Sequence, residues 1–333
     1  MKNILKKTIN YLVFTFIAIL LLYLAFKNVD LKKMYSSLIN DVNYYWILFS
    51  LVFAFLGFII RAVRWKILIE PLGYNPKNKN LVNAVIIGYF ANIAVPRLGE
   101  ITRCASLNKT DKIPVDSLLG TVIVERIIDV LVMFILMAVV LVAKFELYGN
   151  FFKTNVYDPL HEKLFVSLYF WILAISFLIL ILLIYFIFKN KLKKLTVFNK
   201  VTGFAKGILV GLKTFITMKK KWQFIIYTFL MWFVYLLMTY VVFFSIKPTS
   251  NLTLLDGLFI LIAGSLGMTA PVQSGFGAYH WMISLGLILY KIPQQDGLLY
   301  ATLCHESQMI LVVILGSIAM YKVFSKKHKN NNV

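Results

Sequence analysis

The stretch from Asn83 to Arg103, NAVIIGYFANIAVPRLGEITR, decides the fold. Its apolar run stops at Pro96, which removes a backbone donor and blocks a continuous helix. Gly99 allows a tight turn, and Arg97, Glu100 and Arg103 follow at once. Backbone groups freed at membrane depth are tolerated only where protein or water covers them. The flanks are basic on both sides. Arg61, Arg64, Lys66, Lys77 and Lys79 precede the run, and Arg97, Arg103, Lys109 and Lys112 follow its break. Basic flanks stay in the cytoplasm, so a segment with two of them enters and leaves from one side. A re-entrant hairpin is therefore expected over 81–103. An ordinary helix ending at the membrane surface, with its charges in water, also fits these residues taken alone.

Working outward, the whole 333-residue chain has the same character. Hydrophobic residues make up 60% of it and the mean hydropathy is +0.79, against the 45–50% apolar content of ordinary soluble domains. Runs long enough to span a bilayer, about 20 residues each, fall near 9–27, 44–62, 117–143, 164–188, 222–246 and 297–322. The first follows Lys2, Lys6 and Lys7 and reads as an uncleaved signal anchor with a cytoplasmic N-terminus. A second broken stretch, 254–290, is interrupted at Pro271 and carries Gly275 and Gly277. Loop charges place this hairpin on the outer side. The fold class expected is all-α: a polytopic helical membrane protein with about six spans and two re-entrant hairpins in an inverted-repeat-like arrangement. The membrane domain is 1–323 and the basic tail 324–333 is cytoplasmic. The strongly basic segment 189–221 repeats apolar residues at helical spacing. It reads equally as an amphipathic helix on anionic headgroups and as a solvated linker helix. The net charge of +21 belongs to loops between spans, so no nucleic-acid partner is expected. Cys104 and Cys304 have no partner spacing and are expected to be free thiols.

The third span adds Glu125, Arg126 and Asp129 within TVIVERIIDVLVMF. A charge at mid-membrane costs about 2.5–3.5 kcal/mol unless paired or hydrated, so three within five residues cannot face lipid. They form either a salt-bridge cluster that locks helices or part of a transport path. The last span carries His305 and Glu306, and His280 lies in the second hairpin. Glu100 to Glu125 and His280 to Glu306 are nearly equal separations, and Thr121 and Thr302 each precede a glutamate by four residues. This is a weak sign of a duplicated hairpin-plus-span unit. His280 and His305 could meet a carboxylate. Their spacing carries no ligand signature, so a hydrogen-bonded polar cluster is expected and no metal, while a proton-coupling role stays open. No P-loop, GxSxG or HExxH is present. Neither a catalytic residue nor a cofactor is expected.

Four segments together are similar to the transmembrane region of lysylphosphatidylglycerol synthases, a flippase-like family. They are Arg61-Ala-Val-Arg64-Trp65; Asn92 to Arg103 through Pro96, Gly99 and Glu100; Glu125-Arg126-Ile-Ile-Asp129; and Ser274-Gly275-Phe-Gly277-Ala-Tyr-His280. The second is one residue shorter between proline and glycine than the family pattern. In the fourth, His280 stands where the family usually has glutamate and Gln273 where it has proline. The resemblance implies lipid translocation, and the aminoacyl transferase domain of the fused members is not expected here. On this basis the function expected is an integral transporter in a bacterial inner membrane, both termini cytoplasmic, flipping phospholipids or lipid-linked intermediates. Arg61, Arg64, Arg97 and Arg103 would hold an anionic or aminoacylated headgroup, with Glu100, Glu125, Arg126, Asp129, His280 and Glu306 along the path. A second copy or a lipid-synthesis protein is a further expected partner. The alternatives are a membrane enzyme modifying lipid headgroups and a non-transporting partner of a synthesis system.

Overall fold

A computed structural model describes residues 29–152, 218–270 and 272–325, with 19, 20, 22, 23, 26, 27 and 176. Among these residues the structure is all helical. The expected spans 9–27, for the most part, and 164–188 lie outside the described residues, as do the basic segment's apolar repeat, the tail and Pro271. The chain divides into two compact units, residues 1–125 with 218–333, and residues 126–217.

Local signals set the helix ends in the first unit. Helix α1 (Leu31–Asn40) starts at Asp30, whose carboxylate accepts from the backbone N–H groups of Lys32 and Lys33. Asn43 caps α2 (Tyr44–Ile69) in the same way. Each side chain satisfies N–H groups that no helical carbonyl reaches. Helix α3 (Asn78–Ala94) stops at Val95 in extended conformation, the geometry forced on a residue before proline. Helix α4 (Gly99–Asp111) ends with Lys112 in the left-handed region, and α5 (Val115–Ala143) follows. After α7 (Lys221–Val242), a reciprocal capping box between Thr253 and Asp256 starts α8 (Leu254–Met268). Helices α9 (Ala278–Ile288) and α10 (Gln294–Phe324) complete the unit. In the second unit the described residues are mainly the remainder of α5 from Arg126 and the short helix α6 (Phe145–Phe152).

Four described helical stretches are long and apolar enough to cross a membrane: Tyr44–Leu72, Val115–Ala143, Lys221–Ser245 and Gln294–Phe324. Apolar side chains stay exposed at helical spacing along them, Leu48, Val52 and Phe55 on α2, and Ile310, Ile314 and Ile318 on α10. Such contiguous apolar surface belongs against lipid. The helices of the two broken segments are shorter. Helices α3 and α4 have 17 and 13 residues, and α8 and α9 have 15 and 11. At 1.5 Å per residue each is shorter than the roughly 30 Å hydrocarbon core.

Both broken segments are hairpins. In the first, Asp111 at the end of α4 accepts from the Lys77 backbone N–H and from the Asn80 side chain at the start of α3. That ties the two ends of the hairpin together. Near its tip the backbones touch: a Cβ on Gly99 would run into the Gly88 carbonyl oxygen and lie 2.8 Å from the Asn92 side chain. Gly99 is thus needed for close approach. It is the first residue of α4, not the turn expected from the sequence. The left-handed position of the break falls on Arg97, with φ +62°. In the second hairpin Gly275 and Gly277 do supply the turn, with φ +73° and +79°, and Phe259 of α8 meets Tyr290 just past α9 with ring centroids 6.0 Å apart.

The hairpins attach to opposite ends of one helix pair. Helices α2 and α7 run antiparallel: Glu70 after α2 pairs with Lys220 before α7, while Asn43 before α2 donates its backbone N–H to the Ser245 carbonyl after α7. The first hairpin follows the Ile69 end of that pair and the second follows its Val242 end. Each has its own apolar core. Phe58, Trp65, Leu81, Leu107 and Val312 pack around the first. Ile47, Phe243, Ile260, Leu287 and Tyr300 pack around the second.

Candidate functional site

The basic run at the end of α2 is not a loop flank. Arg61 is 6% exposed and Arg64 0%, so their charges lie inside the protein rather than at a solvated membrane edge. Arg61, Arg64 and Trp65 are three and four residues apart and share one helix face. Helix α5 presents Glu125 to that face, and α4 presents Arg103. Glu125 Oε1 accepts from Arg61 at 2.7 Å and lies 3.2 Å from an Arg64 guanidinium nitrogen. Its Oε2 accepts from Arg103 at 3.0 Å. Three guanidinium groups therefore share one fully buried carboxylate. Charge-assisted contacts of this kind carry most of their strength where water is excluded.

Aromatic and hydroxyl groups hold the arginines in place. Arg61 donates to the Tyr89 hydroxyl at 2.8 Å, and that oxygen lies 3.4 Å from the Tyr235 hydroxyl. Arg64 lies over the Phe224 ring and donates to Thr228 at 3.4 Å. Arg103 lies over the Trp65 ring, 4.6 Å from its centroid. Trp65 in turn donates its indole N–H to Thr121 at 2.8 Å, one turn before Glu125. A cation over an aromatic face is attracted by the ring quadrupole.

The expected site residues separate into groups. Arg61, Arg64, Arg103 and Glu125 come together. Arg97, expected to join them, is exposed at the hairpin break. Glu100 is half-buried in the first turn of α4. Arg126 is exposed and Asp129 half-buried on α5, in the second unit. The contributions of Tyr89, Trp65, Phe224 and Thr228 escaped sequence reading. The i, i+4 spacing of Arg61 and Trp65 was the available signal.

A second cluster forms at the other hairpin. Glu306 Oε1 lies 3.0 Å from His305 Nδ1 and 3.5 Å from His280 Nε2. His305 Nε2 lies 2.9 Å from the Ser274 carbonyl oxygen in the hairpin break. Both histidines are buried, and the Glu306 side chain is 37% exposed. The rings of Phe276 and Tyr279 pack around them. The sequence suggested that His280 and His305 meet a carboxylate; the contact of His305 with the Ser274 carbonyl, which ties the last helix to the hairpin break, was not foreseen.

Long apolar helices, two broken hairpins and ionic clusters buried among them define a polytopic helical membrane protein. The chain belongs to the family described as the lysylphosphatidylglycerol synthase TM region, which matches residues 11–316. It is similar to the UPF0104 membrane protein MJ1595 of Methanocaldococcus jannaschii, 27% identical over 96% of this chain and 95% of that one. UPF0104 membrane protein MJ1078 of the same organism is 26% identical over 70% of this chain and 94% of that one. No solved structure matches.

Proposed function

We propose that the protein is a transporter that moves phospholipids or lipid-linked intermediates between leaflets, and not an enzyme. The observation that carries this reading is the gathering of Arg61, Arg64 and Arg103 on Glu125 beside the first hairpin. Planar guanidinium forks match phosphate oxygens in pairs. Glu125 acts as the resting counter-ion, and a headgroup phosphate replaces it on one or more arginines as the lipid passes. Exposed Arg97 at the hairpin tip makes the first contact. The two hairpins, attached at opposite ends of the α2–α7 pair, enter from opposite membrane faces and gate access from each leaflet.

The test is reconstitution in liposomes containing fluorescent or spin-labelled lipids. Translocation of anionic or aminoacylated lipids is expected to rise above that of protein-free vesicles, and Arg103→Gln is expected to lower it. Equal rates for every anionic and aminoacylated lipid, with and without protein, would refute transport. A change in lipid species by mass spectrometry, at unchanged leaflet distribution, would point instead to headgroup chemistry.

A further inference from the structure

The His280–His305–Glu306 cluster has a feature that hydrogen bonding between neutral groups and a carboxylate does not satisfy. The Ser274 carbonyl oxygen can only accept, so the His305 Nε2 atom 2.9 Å away carries the proton and donates. In a neutral ring this leaves a lone pair on Nδ1. That nitrogen faces Glu306 Oε1 at 3.0 Å, and a carboxylate oxygen also only accepts. Two electron pairs facing each other at this distance need a positive centre on their line.

We propose that the centre is a divalent transition-metal ion of the zinc type, bound by His280 Nε2, His305 Nδ1 and Glu306 Oε1. One ligand atom from each of the three residues lies within 4.8 Å of the other two. Two donors bound to one tetrahedral ion at roughly 2.0–2.2 Å sit about 3.2–3.5 Å apart, and the two separations from Glu306 are 3.0 and 3.5 Å. Small side-chain adjustments therefore form the site. The carbonyl behind His305 is the arrangement that fixes the tautomer of a metal-binding histidine. The backbone is bent there: Ser274, in the middle of the 3₁₀ turn Gln273–Gly275, has φ +47°, an uncommon conformation for a side-chain-bearing residue. For His280, Nδ1 has no hydrogen-bond partner among the described residues. With no contact behind the ring its tautomer is not fixed, and Nε2 presents a lone pair when the proton sits on Nδ1. A shared proton would satisfy His305 and Glu306 alone. The competing arrangement adds an Nε2–H of His280 donating to the same oxygen, and a protein that takes up no metal would show it. The aromatic rings exclude water on the buried side, and the exposed side of Glu306 leaves a fourth position for water or an anion.

The full-length protein, purified in detergent and stripped with chelator, is the sample for the test. After incubation with zinc and desalting, elemental analysis is expected to find about one ion per chain, and cobalt(II) is expected to give the intense visible bands of a tetrahedral site. Zinc is expected to raise the melting temperature of the native chain and not that of Glu306→Gln. His280→Ala and His305→Ala are each expected to weaken zinc at least tenfold. Should a variant fold poorly, metal uptake by the native chain decides alone. Retention of no zinc, cobalt or manganese by the native protein overturns the proposal. So does uptake that survives all three substitutions. Histidine NMR signals that titrate with pH and ignore added metal would show a proton in its place and would also overturn it.

Discussion

The two hairpins are built alike and are closed by different chemistry. Each consists of two short helices around a left-handed break, and in each the second helix offers a nitrogen base to a glutamate on the following long helix: Arg103 to Glu125, and His280 to Glu306. At the first hairpin every cation is an arginine, charged at any pH a cell reaches, and the carboxylate is fully buried. At the second, the bases are imidazoles, and the carboxylate is partly exposed. The first contact is held by permanently charged guanidinium groups. The second depends on what cation occupies it. The nearly equal separations in the sequence thus correspond to like placements in the two hairpins, while the chemistry at the two places differs.

Substitutions can break this comparison. The largest effect is expected for Glu125→Gln, which leaves three buried guanidinium groups without their shared carboxylate. Breaking a buried pair in this way costs about 3–5 kcal/mol, read as a large fall in melting temperature or folded yield in detergent. A melting temperature unchanged from the native chain would mean that the first hairpin is not held by this charge. Gly99→Ala comes next. Its Cβ would meet the Gly88 carbonyl and the Asn92 side chain, and overpacking of this kind costs about 1–3 kcal/mol. The same substitution at an exposed helical glycine such as Gly120, with open space around it, is expected to be neutral or mildly stabilising, and the difference between the two variants measures the hairpin contact. Arg103→Lys keeps the charge and loses the fork and most of the contact with Trp65. A loss of about 1–2 kcal/mol is expected, with lipid translocation falling in the liposome assay. Thr121→Val is the smallest, about 1 kcal/mol for the single hydrogen bond Thr121 accepts from Trp65. It sharpens the comparison because it changes only the support of the first hairpin and should leave metal binding at the second untouched.

Much of the architecture could be read from the chain. Four long helices fall where the apolar runs are, and Pro96 marks the first break. The charges Glu125, Arg126 and Asp129 were expected to avoid lipid, and of the three it is Glu125 that is fully buried and meets Arg103 of the first hairpin. What could not be read depends on rotation about helix axes. Arg61 and Arg64 look like the end of a span followed by a loop, yet α2 continues to Ile69 because Glu125 supplies the charge that water would otherwise provide. Counting them as cytoplasmic markers therefore overstated the loop charge, although exposed Lys77, Lys79 and Lys112 still lie there. Gly99 was taken for the turn because glycine tolerates φ > 0. The break instead places Arg97 there, and the glycine is spent on backbone contact that no linear pattern reveals. His305 was invisible as a bridge because its partner Ser274 contributes a backbone carbonyl, which any residue has.

The attachment of the hairpins to opposite ends of α2 and α7 has a mechanical consequence. If the protein moves lipid as proposed, the pair is a rod with a peg at each end, and a shift along its axis by one residue's rise, about 1.5 Å, would carry one peg deeper into the bilayer and withdraw the other by the same amount. Opening on one side and closing on the other would then require no signal between distant sites, only a stiff rod shared by both.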